Sequence, residues 1–365
     1  MEWSPQQEEA LRAVLSWLKT RPTQVFRLFG YAGTGKTTLA RHLAEGVDGD
    51  VAFGAFTGKA AHVLRTKGCA DASTIHSMIY RPRGEDEDGE GPSFTINRDS
   101  TAASASLIVI DECSMVDEDL GRDLLSFGTP VLVLGDPAQS PPVKGGGFFT
   151  EAEPDAMLSE VHRQAADNPI IRLSMDIREG QPLDYGTYGE SRVIHRCEID
   201  ADAILATDQV LVGRNKTRRL YNDRIRELMC YTLQMPEVGE KLVCLRNDKA
   251  KGLLNGGLWT VKAAHPPKRG KLQYDVKPED TLKRKSVRVS IAPELFDEGS
   301  EEVPYALRRR SDEFAYGYAM TVHKAQGSQW DNVVLFDESW AFREHQARWL
   351  YTAVTRAAEK ISVVK

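Results

Sequence analysis

The chain has 365 residues, of which 41% are hydrophobic and 27% are charged, and its net charge is -6. This length exceeds what a single hydrophobic core usually serves, so the sequence predicts two or three domains and excludes one small module. The composition is typical of a globular protein and excludes a disordered chain or a histone-like coat on nucleic acid. No apolar run approaches the ~20 residues of a membrane-spanning helix, and the N-terminal residues lack a signal-peptide pattern, so we expect a cytoplasmic protein with no membrane partner. Five cysteines without a C-x-x-C pair predict neither a disulfide framework nor a zinc site.

Residues 1–150 alternate helical patterns with short β-branched runs. A helix is expected over residues 6–19, and strands are expected over residues 25–29, 51–56, 107–110 and 131–134. Because strands separated by helices pair in parallel, we expect an α/β domain whose helices cover both faces of the sheet. The functional residues of such a domain lie beyond the carboxyl ends of its strands.

Residues 81–104 interrupt this alternation. Their centre, residues 84–92, is acidic and rich in glycine, which predicts an exposed hairpin or loop. Such a segment is either a functional hairpin or a solvated linker, and the acidic residues would repel phosphates in both cases.

Residues 151–238 and 311–365 predict a second α/β domain, with strands over residues 209–212, 332–336 and 361–364. Between them, residues 239–310 carry short strands and an Asn-Gly turn, which predicts a small β-barrel inserted into the second domain. This insertion holds 16 Lys and Arg against 10 Asp and Glu. Its basic clusters at 283–285 and 308–310 either contact nucleic acid or only keep the surface soluble.

A phosphate-binding loop follows the first strand. Residues 30–37 read GYAGTGKT and match G-x-x-x-x-G-K-[ST] between a strand and a helix. Glycines let backbone N–H groups surround phosphate oxygens, while Lys36 would contact the outer phosphates and Thr37 would hold Mg²⁺. The predicted nucleotide-binding residues are Gly33, Thr34, Gly35, Lys36, Thr37 and Thr38.

Polar side chains follow the next two strands of the predicted sheet. Asp111, after the strand at 107–110, can join Thr37 in holding Mg²⁺, and Glu112 can orient and deprotonate an attacking water. Gln139, after the strand at 131–134, can sense the γ-phosphate. Together with the phosphate-binding loop, these residues predict hydrolysis of a nucleoside triphosphate.

Further segments accompany these motifs in a fixed order along the chain. They are WSPQQ at 3–7, TGKAA at 57–61, STIH at 73–76, GDPAQSPPV at 135–143, LSEVHRQ at 158–164, YAMTVHKAQGS at 318–328 and LYTAVTRA at 350–357. In this order the chain resembles the superfamily 1 DNA helicases, and within them the RecD/Dda-like branch that moves 5′ to 3′ on single-stranded DNA. The resemblance extends over nearly the whole chain.

The resemblance implies two RecA-like motor domains with parallel sheets, with ATP and Mg²⁺ in the cleft between them. Gln7 would read the adenine, and Arg163 and Arg356 would reach the γ-phosphate from the second domain. The alternatives are a solvated charge at a helix end for Arg163 and a structural salt bridge for Arg356. The implied DNA contacts are Thr57, Lys59, His76, Thr321, His323 and Lys324. The segment 81–104 would be an unwinding hairpin, and residues 239–310 would form an SH3-like barrel. Phe94, Trp330 and Trp340 are candidates for base stacking.

These features favour an ATP-dependent DNA helicase acting as a monomer on single-stranded DNA and on single-strand/double-strand junctions, in replication or repair. Replication or recombination proteins are the candidate partners. One alternative is a translocase that displaces proteins from DNA and unwinds poorly. Another is a nucleotide-gated binding module without catalysis.

Overall fold

A computed structural model describes residues 3–85, 92–140, 147–160, 168–248, 251–279, 285–296 and 303–365. Its strands form two six-stranded sheets, one five-stranded sheet and a two-stranded hairpin. The predicted α/β class is confirmed. Among the described helices, none is both long and apolar enough to cross a membrane.

The first region carries the expected alternation of strands and helices. Its strands are β1 (Val25–Gly30), β2 (Val51–Ala55), β3 (Ser73–Thr74), β4 (Tyr80–Glu85), β5 (Pro92–Ile96), β6 (Leu107–Asp111), β7 (Val131–Gly135) and β8 (Ala156–Leu158). Its helices are α1 (Pro5–Thr20), α2 (Lys36–Glu45), α3 (Gly58–Thr66), α4 (Ile75–Ile79), α5 (Thr101–Ser104) and α6 (Glu118–Leu125), with a 3₁₀ turn over Cys113–Met115. The first sheet has the order β3-β2-β6-β7-β1-β8 and its neighbouring strands are parallel.

Helices cover both faces of this sheet, because side chains of a strand alternate between the two faces. Leu107 and Val109 of β6 pack with α1 and α2, whereas Ile108 and Ile110 pack with α4 and α6. Ser4 caps α1 in a capping box with Gln7, which fixes where this helix begins. The first sheet also continues past residue 150, since β8 pairs with β1.

The hairpin consists of β4 and β5, which pair antiparallel at the end of α4. Its tip, residues 86–91, holds the acidic centre and lies outside the described residues. Any role of that centre in strand separation therefore stays a prediction.

The second region begins with a helix and the strands of another sheet. Its first elements are α7 (Pro169–Arg178), β9 (Gly186–Tyr188), β10 (Ser191–Ile194), a 3₁₀ turn over Arg196–Glu198, α8 (Ala201–Leu205), β11 (Gln209–Val212) and α9 (Asn215–Leu228).

A segment built around an antiparallel sheet, here called the all-β segment, then interrupts this region. It comprises β12 (Lys241–Cys244), β13 (Leu258–Lys268), β14 (Lys271–Pro278), β15 (Val287–Ile291), a 3₁₀ turn over Pro293–Leu295, α10 (Tyr305–Arg309) and β16 (Phe314–Tyr316). The strands form an antiparallel sheet in the order β15-β14-β13-β12-β16, with a core of its own around Trp259 and Phe314. The sheet includes β16, which lies beyond the expected boundary at residue 310, because β12 pairs with it. The SH3-like description of this segment stays a prediction.

The chain then completes the second sheet with β17 (Ala319–Thr321), β18 (Trp330–Phe336), a 3₁₀ segment over Ser339–His345, α11 (Gln346–Val354) and β19 (Ala357–Val364). The order is β17-β11-β18-β19-β10-β9, and only β9 is antiparallel to its neighbour. Trp330, a candidate for base stacking, instead packs against the core of this region.

Candidate active site

The phosphate-binding loop connects β1 to α2. Gly33 and Gly35 have φ angles of 80° and 81°, in the left-handed region that glycine tolerates best. A Cβ atom at Gly30 would lie 2.7 Å from the Thr34 hydroxyl oxygen. The glycines of this motif are therefore required by backbone conformation and by close packing, as well as by any phosphate.

Side chains around the loop are held by its carbonyl groups. The Lys36 ammonium donates to the carbonyl oxygens of Gly30 and Tyr31 at 2.5 and 3.0 Å. The buried Gln7 amide donates from α1 to the Thr34 carbonyl oxygen at 3.0 Å. Gln7 thus lies against the loop, and its predicted reading of adenine stays a prediction. Thr38 lies in the first turn of α2.

Thr37 and Asp111 form the candidate metal site. The Thr37 hydroxyl donates to Asp111 Oδ2 at 2.9 Å. Burial raises the pKa of Asp111 and the Glu112 carboxylate raises it further, whereas the Thr37 hydrogen bond and the Lys36 ammonium lower it. Hydroxyl and carboxylate oxygens are ligands that Mg²⁺ prefers, and a cation would offset the burial of this carboxylate. The donor set therefore fits a magnesium ion.

Glu112 and Gln139 stand beside this pair. Glu112 has φ 55° and ψ 47°, a left-handed conformation that is strained for a residue with a side chain and that is common at functional sites. The Gln139 side chain is buried, and its Oε1 atom has no hydrogen-bond partner among the described residues. Buried acceptors are nearly always satisfied, so this oxygen is suited to a donor from a bound molecule.

Arg356 reaches the same site from the second region. Its buried guanidinium donates to the carbonyl oxygens of Thr352 and Ser328 at 3.1 and 3.3 Å, and Nη1 lies 3.9 Å from Glu112 Oε1. The second predicted arginine, Arg163, lies outside the described residues.

These residues line one cavity of about 240 Å³ between the two regions. The first region contributes Gly33, Lys36, Thr37, Asp111, Glu112 and Gln139, and the second contributes Gly327, Ser328, Thr355 and Arg356. The structure therefore brings the predicted catalytic and metal residues that it describes into a single cleft. We call this cavity the nucleotide cleft.

A second cavity, of about 230 Å³, collects four of the predicted DNA contacts. Thr57 and Lys59 of the first region line it opposite His323 and Lys324 of the second. The turn at Asn255 and Gly256 of the all-β segment also lines it, which sequence reasoning did not anticipate. We call this cavity the strand groove.

The other two predicted DNA contacts lie apart from the groove lining. His76 packs against Tyr80 and Phe94 at the base of the hairpin, with ring centroids 4.9 and 6.0 Å away. Thr321 is buried, and its hydroxyl accepts from the Lys324 N–H at 3.4 Å. Burial lowers the pKa of His76 and of His323, which favours the neutral form of both rings.

One segment joins the two cavities. Residues 323–328 begin in the strand groove with His323 and end in the nucleotide cleft with Ser328, whose carbonyl oxygen accepts from Arg356. Within this segment, Gly327 has φ 75°, and a Cβ atom there would lie 2.7 Å from the Ala60 Cβ atom of α3. The two regions thus touch through bare backbone at this point.

Residues 2–198 match the AAA domain family, and residues 316–364 match the UvrD-like helicase C-terminal domain. The first match covers more than half of the chain, and the two together include both walls of the nucleotide cleft. The chain belongs to the superfamily 1 helicases of the RecD type.

Relatives of this chain include longer proteins. The ATP-dependent RecD2 DNA helicase of Deinococcus radiodurans is 28% identical over 91% of the chain, which spans 46% of that protein. The conjugal transfer protein TraA of Agrobacterium fabrum is 23% identical over 94% of the chain, which spans 31% of it. The chain thus spans less than half the length of these relatives.

Solved helicase structures share its fold. A Bacteroides Pif1 bound to single-stranded DNA aligns over 99% of this chain and 92% of its own, with a TM-score of 0.60 and 18% identity. Pif1 of Candida albicans aligns over 100% of this chain and 94% of its own, with a TM-score of 0.59 and 19% identity.

The sequence of this chain gave no indication of a role for Tyr351. Its hydroxyl, on α11, donates to Asp136 Oδ2 at 2.8 Å and accepts from the Ala32 N–H of the phosphate-binding loop at 2.9 Å. Burial raises the pKa of Asp136, while the Lys36 ammonium and the Tyr351 hydrogen bond lower it. One hydroxyl of the second region therefore joins two loops of the first.

Other contacts also cross between the regions. The Ser140 N–H donates to the Thr352 hydroxyl at 2.8 Å, and the Arg178 guanidinium lies 3.9 Å from the centre of the Tyr31 ring. Ser140, Thr352 and Tyr31 lie within motifs, but Arg178 does not, and each partner is more than 100 residues away along the chain, so no local pattern indicates these contacts.

Proposed function

We propose that this chain is a magnesium-dependent ATP hydrolase that translocates 5′ to 3′ along single-stranded DNA and unwinds duplex DNA. The observation that carries the proposal is the composition of the nucleotide cleft, in which Arg356 of the second region faces Lys36 and Glu112 of the first. Such a site is complete only when the two regions are together, so each turnover is tied to their relative movement.

Each of these residues of the nucleotide cleft has its own role in the proposed hydrolysis of ATP. An oxygen of water forms a bond to the γ-phosphorus of ATP, the bond from that phosphorus to the ADP oxygen breaks, and the water proton passes to the Glu112 carboxylate. The Gln139 amide orients the water and the γ-phosphate. Lys36 leaves the loop carbonyls for the phosphates, and Arg356 stabilises the negative charge that spreads over the transferred group.

Magnesium, when bound, neutralises phosphate charge and is held by Thr37 and Asp111. Their contact at 2.9 Å keeps the two oxygens next to each other, as two ligands of one ion would have to be. The Gly33 and Gly35 backbone supplies N–H groups to the phosphates next to this ion.

Residues 323–328 supply the coupling in this proposal. His323 and Lys324 line the strand groove, and Ser328 holds Arg356 in the nucleotide cleft. A shift of this segment caused by DNA would move Arg356 relative to the γ-phosphate, so DNA binding and hydrolysis become linked.

The finer parts of the proposal rest on the resemblance and on the relatives. Polarity, single-strand/double-strand junctions as substrates, action as a monomer in the cytoplasm, and replication or recombination proteins as partners are carried over as expectations. A solved structure of two coordinating Pif1 helicases concerns DNA unwinding at forked double-stranded DNA, which supports junctions as substrates.

A translocase with weak unwinding is the second candidate. The acidic segment 84–92 at the hairpin favours it, because like charges repel the phosphates that a wedge must approach. The predicted non-catalytic binding module is disfavoured by the shared cleft of Lys36, Asp111, Glu112 and Arg356.

The test combines ATP turnover with strand separation. Single-stranded DNA should stimulate ATP hydrolysis by the wild type, and Lys36→Ala should reduce kcat by more than about 100-fold because the fixed cation is lost. Lys19→Ala, which removes an exposed lysine of α1, is the matched control and should leave turnover unchanged.

Partial duplexes with a 5′ or a 3′ tail then separate the candidates. Unwinding of the 5′-tailed duplex supports a 5′ to 3′ helicase, and displacement of a bound protein without unwinding supports the translocase. Absence of stimulation by any polynucleotide would overturn both.

A further inference from the structure

Three loops of the second region meet at one edge of its sheet. β17, β11 and β18 are neighbours and run parallel, so the residues that follow them emerge on the same side. His323 follows β17, Arg214 follows β11 and Trp340 follows β18. This edge therefore carries a strand-groove residue together with two residues to which the proposed function gives no role.

Trp340 is the most exposed aromatic residue in the described part of the chain. It is 60% exposed, whereas Trp17, Trp259 and Trp349 are buried. The Arg214 guanidinium lies over its ring, 4.8 Å from the centre. Because the guanidinium occupies one side of the ring, an exposure this large leaves the indole accessible from elsewhere. An accessible large aromatic ring backed by a cation is suited to stacking with another flat group.

Arg214 is fixed in place by Glu338. The buried Glu338 carboxylate accepts from Arg214 Nε at 2.8 Å, from the Gly213 and Arg214 N–H groups at 2.8 and 3.0 Å, and from the Thr217 hydroxyl at 2.6 Å. Burial alone would raise the pKa of Glu338, but these hydrogen bonds lower it, so the carboxylate stays ionised. The guanidinium is thereby held over the indole before any ligand arrives, which reduces the entropy lost on binding.

The Trp340–Arg214 pair is continuous with the strand groove. Phe342, two residues after Trp340, lies 5.5 Å from the His323 ring and stacks on Trp349 at 5.1 Å. Asn215, which follows Arg214 in the sequence, and Arg218 of α9 line a cavity of about 350 Å³ together with Lys324. Lys324 lines both cavities, so the strand groove and the cavity beside α9 share one residue.

We propose that Trp340, backed by Arg214, is a stacking platform for one unpaired base of the single strand where that strand leaves His323 and Lys324. This inference rests on the proposed function, because it requires the strand groove to hold single-stranded DNA. Stacking on an indole is tolerant of sequence, since each base has a flat face, and it adds affinity without a phosphate contact.

The test compares strands with and without bases. The probes are an oligothymidine and an abasic strand of equal length and equal phosphate number, each carrying a terminal fluorophore. Trp340→Ala should weaken binding of the oligothymidine about tenfold, the effect of one lost stack, and should leave binding of the abasic strand unchanged. Trp340→Phe retains a flat ring and should recover most of the affinity, and Leu15→Ala, which removes an exposed apolar side chain of α1, is the control.

The outcomes distinguish failure of the stacking platform from failure of the proposed function. Equal affinity of wild type and Trp340→Ala for the oligothymidine overturns the platform and leaves the helicase proposal standing. Equal losses on both strands also overturn it, because they indicate a structural role for Trp340. Failure of the wild type to bind either strand removes the proposed function itself.

Discussion

The nucleotide cleft and the strand groove join the same two regions in different ways. In the cleft the contacts are buried and mutual: Arg356 meets Glu112, and Tyr351 binds both Ala32 and Asp136. In the groove, Lys59 and Lys324 line a cavity whose walls also include a turn of the all-β segment. The first arrangement demands one geometry, and the second accommodates a flexible polymer. Substitutions in the cleft should therefore cause large losses of ATP hydrolysis, whereas each substitution in the groove should weaken DNA binding by a small factor.

The steepest effect is expected at Arg356. Arg356→Ala should lower kcat for ATP about 1000-fold with a much smaller change in KM, since a cation that acts on the transferred phosphoryl group contributes mainly in the transition state. Steady-state ATPase assays with saturating single-stranded DNA measure this. Arg224→Ala, which removes an exposed arginine of α9, should behave as wild type. A loss confined to KM would contradict the role given to Arg356.

An intermediate effect is expected at Tyr351. Tyr351→Phe keeps the ring but leaves Ala32 N–H and the buried Asp136 carboxylate without this hydroxyl, so the free energy of unfolding should fall by about 1–3 kcal/mol. Because the phosphate-binding loop also loses its link to the second region, kcat should fall about tenfold. Chemical denaturation and single-turnover hydrolysis measure the two effects.

Tyr188→Phe is the matched control for this variant, since its hydroxyl donates to the Asp184 carbonyl on the surface. It should change neither quantity. A Tyr351→Phe variant with reduced stability and unchanged kcat would show that the link only supports the fold.

The smallest effect is expected in the groove. Lys324→Ala should weaken binding of single-stranded DNA several-fold and reduce the slope of log affinity against log salt by about 0.7, the value for one lost phosphate contact on a single strand. Titrations over a range of salt concentrations measure this slope, with Lys19→Ala as the control. An unchanged slope would exclude a phosphate contact at Lys324, and the same measurement on Trp340→Ala should give the wild-type slope.

The same contrast explains what the sequence could and could not predict. The phosphate-binding loop is local, so its eight residues identified Lys36 and Thr37, and the strand before Asp111 located that carboxylate. Tyr351 and Asp136 are far apart along the chain, and a buried tyrosine in a helix has the pattern of an ordinary core residue. Their hydrogen bond depends on how the two regions meet, which no local pattern encodes.

The residues of the strand groove and the domain limits were harder to predict from the sequence for related reasons. The aromatic candidates Trp330 and Trp340 are ten residues apart. Trp330 begins a strand and packs, partly buried, against the core, while Trp340 follows that strand and stays exposed. The strands β8 and β16 each pair with a strand distant in sequence, so the sheets extend beyond the limits that composition suggested at residues 150 and 310. Short edge strands contain too few residues for the sequence to indicate which strand they pair with.

Gly327 restricts how the two regions can move relative to each other. Its bare backbone leaves no space for a methyl group against Ala60, and Gly58 is similarly close to Leu254 of the all-β segment. Such close packing at Gly327 and Gly58 opposes a sliding movement of one surface over the other. On the proposed function, the two regions would therefore separate at Gly327 before either of them advances along the strand.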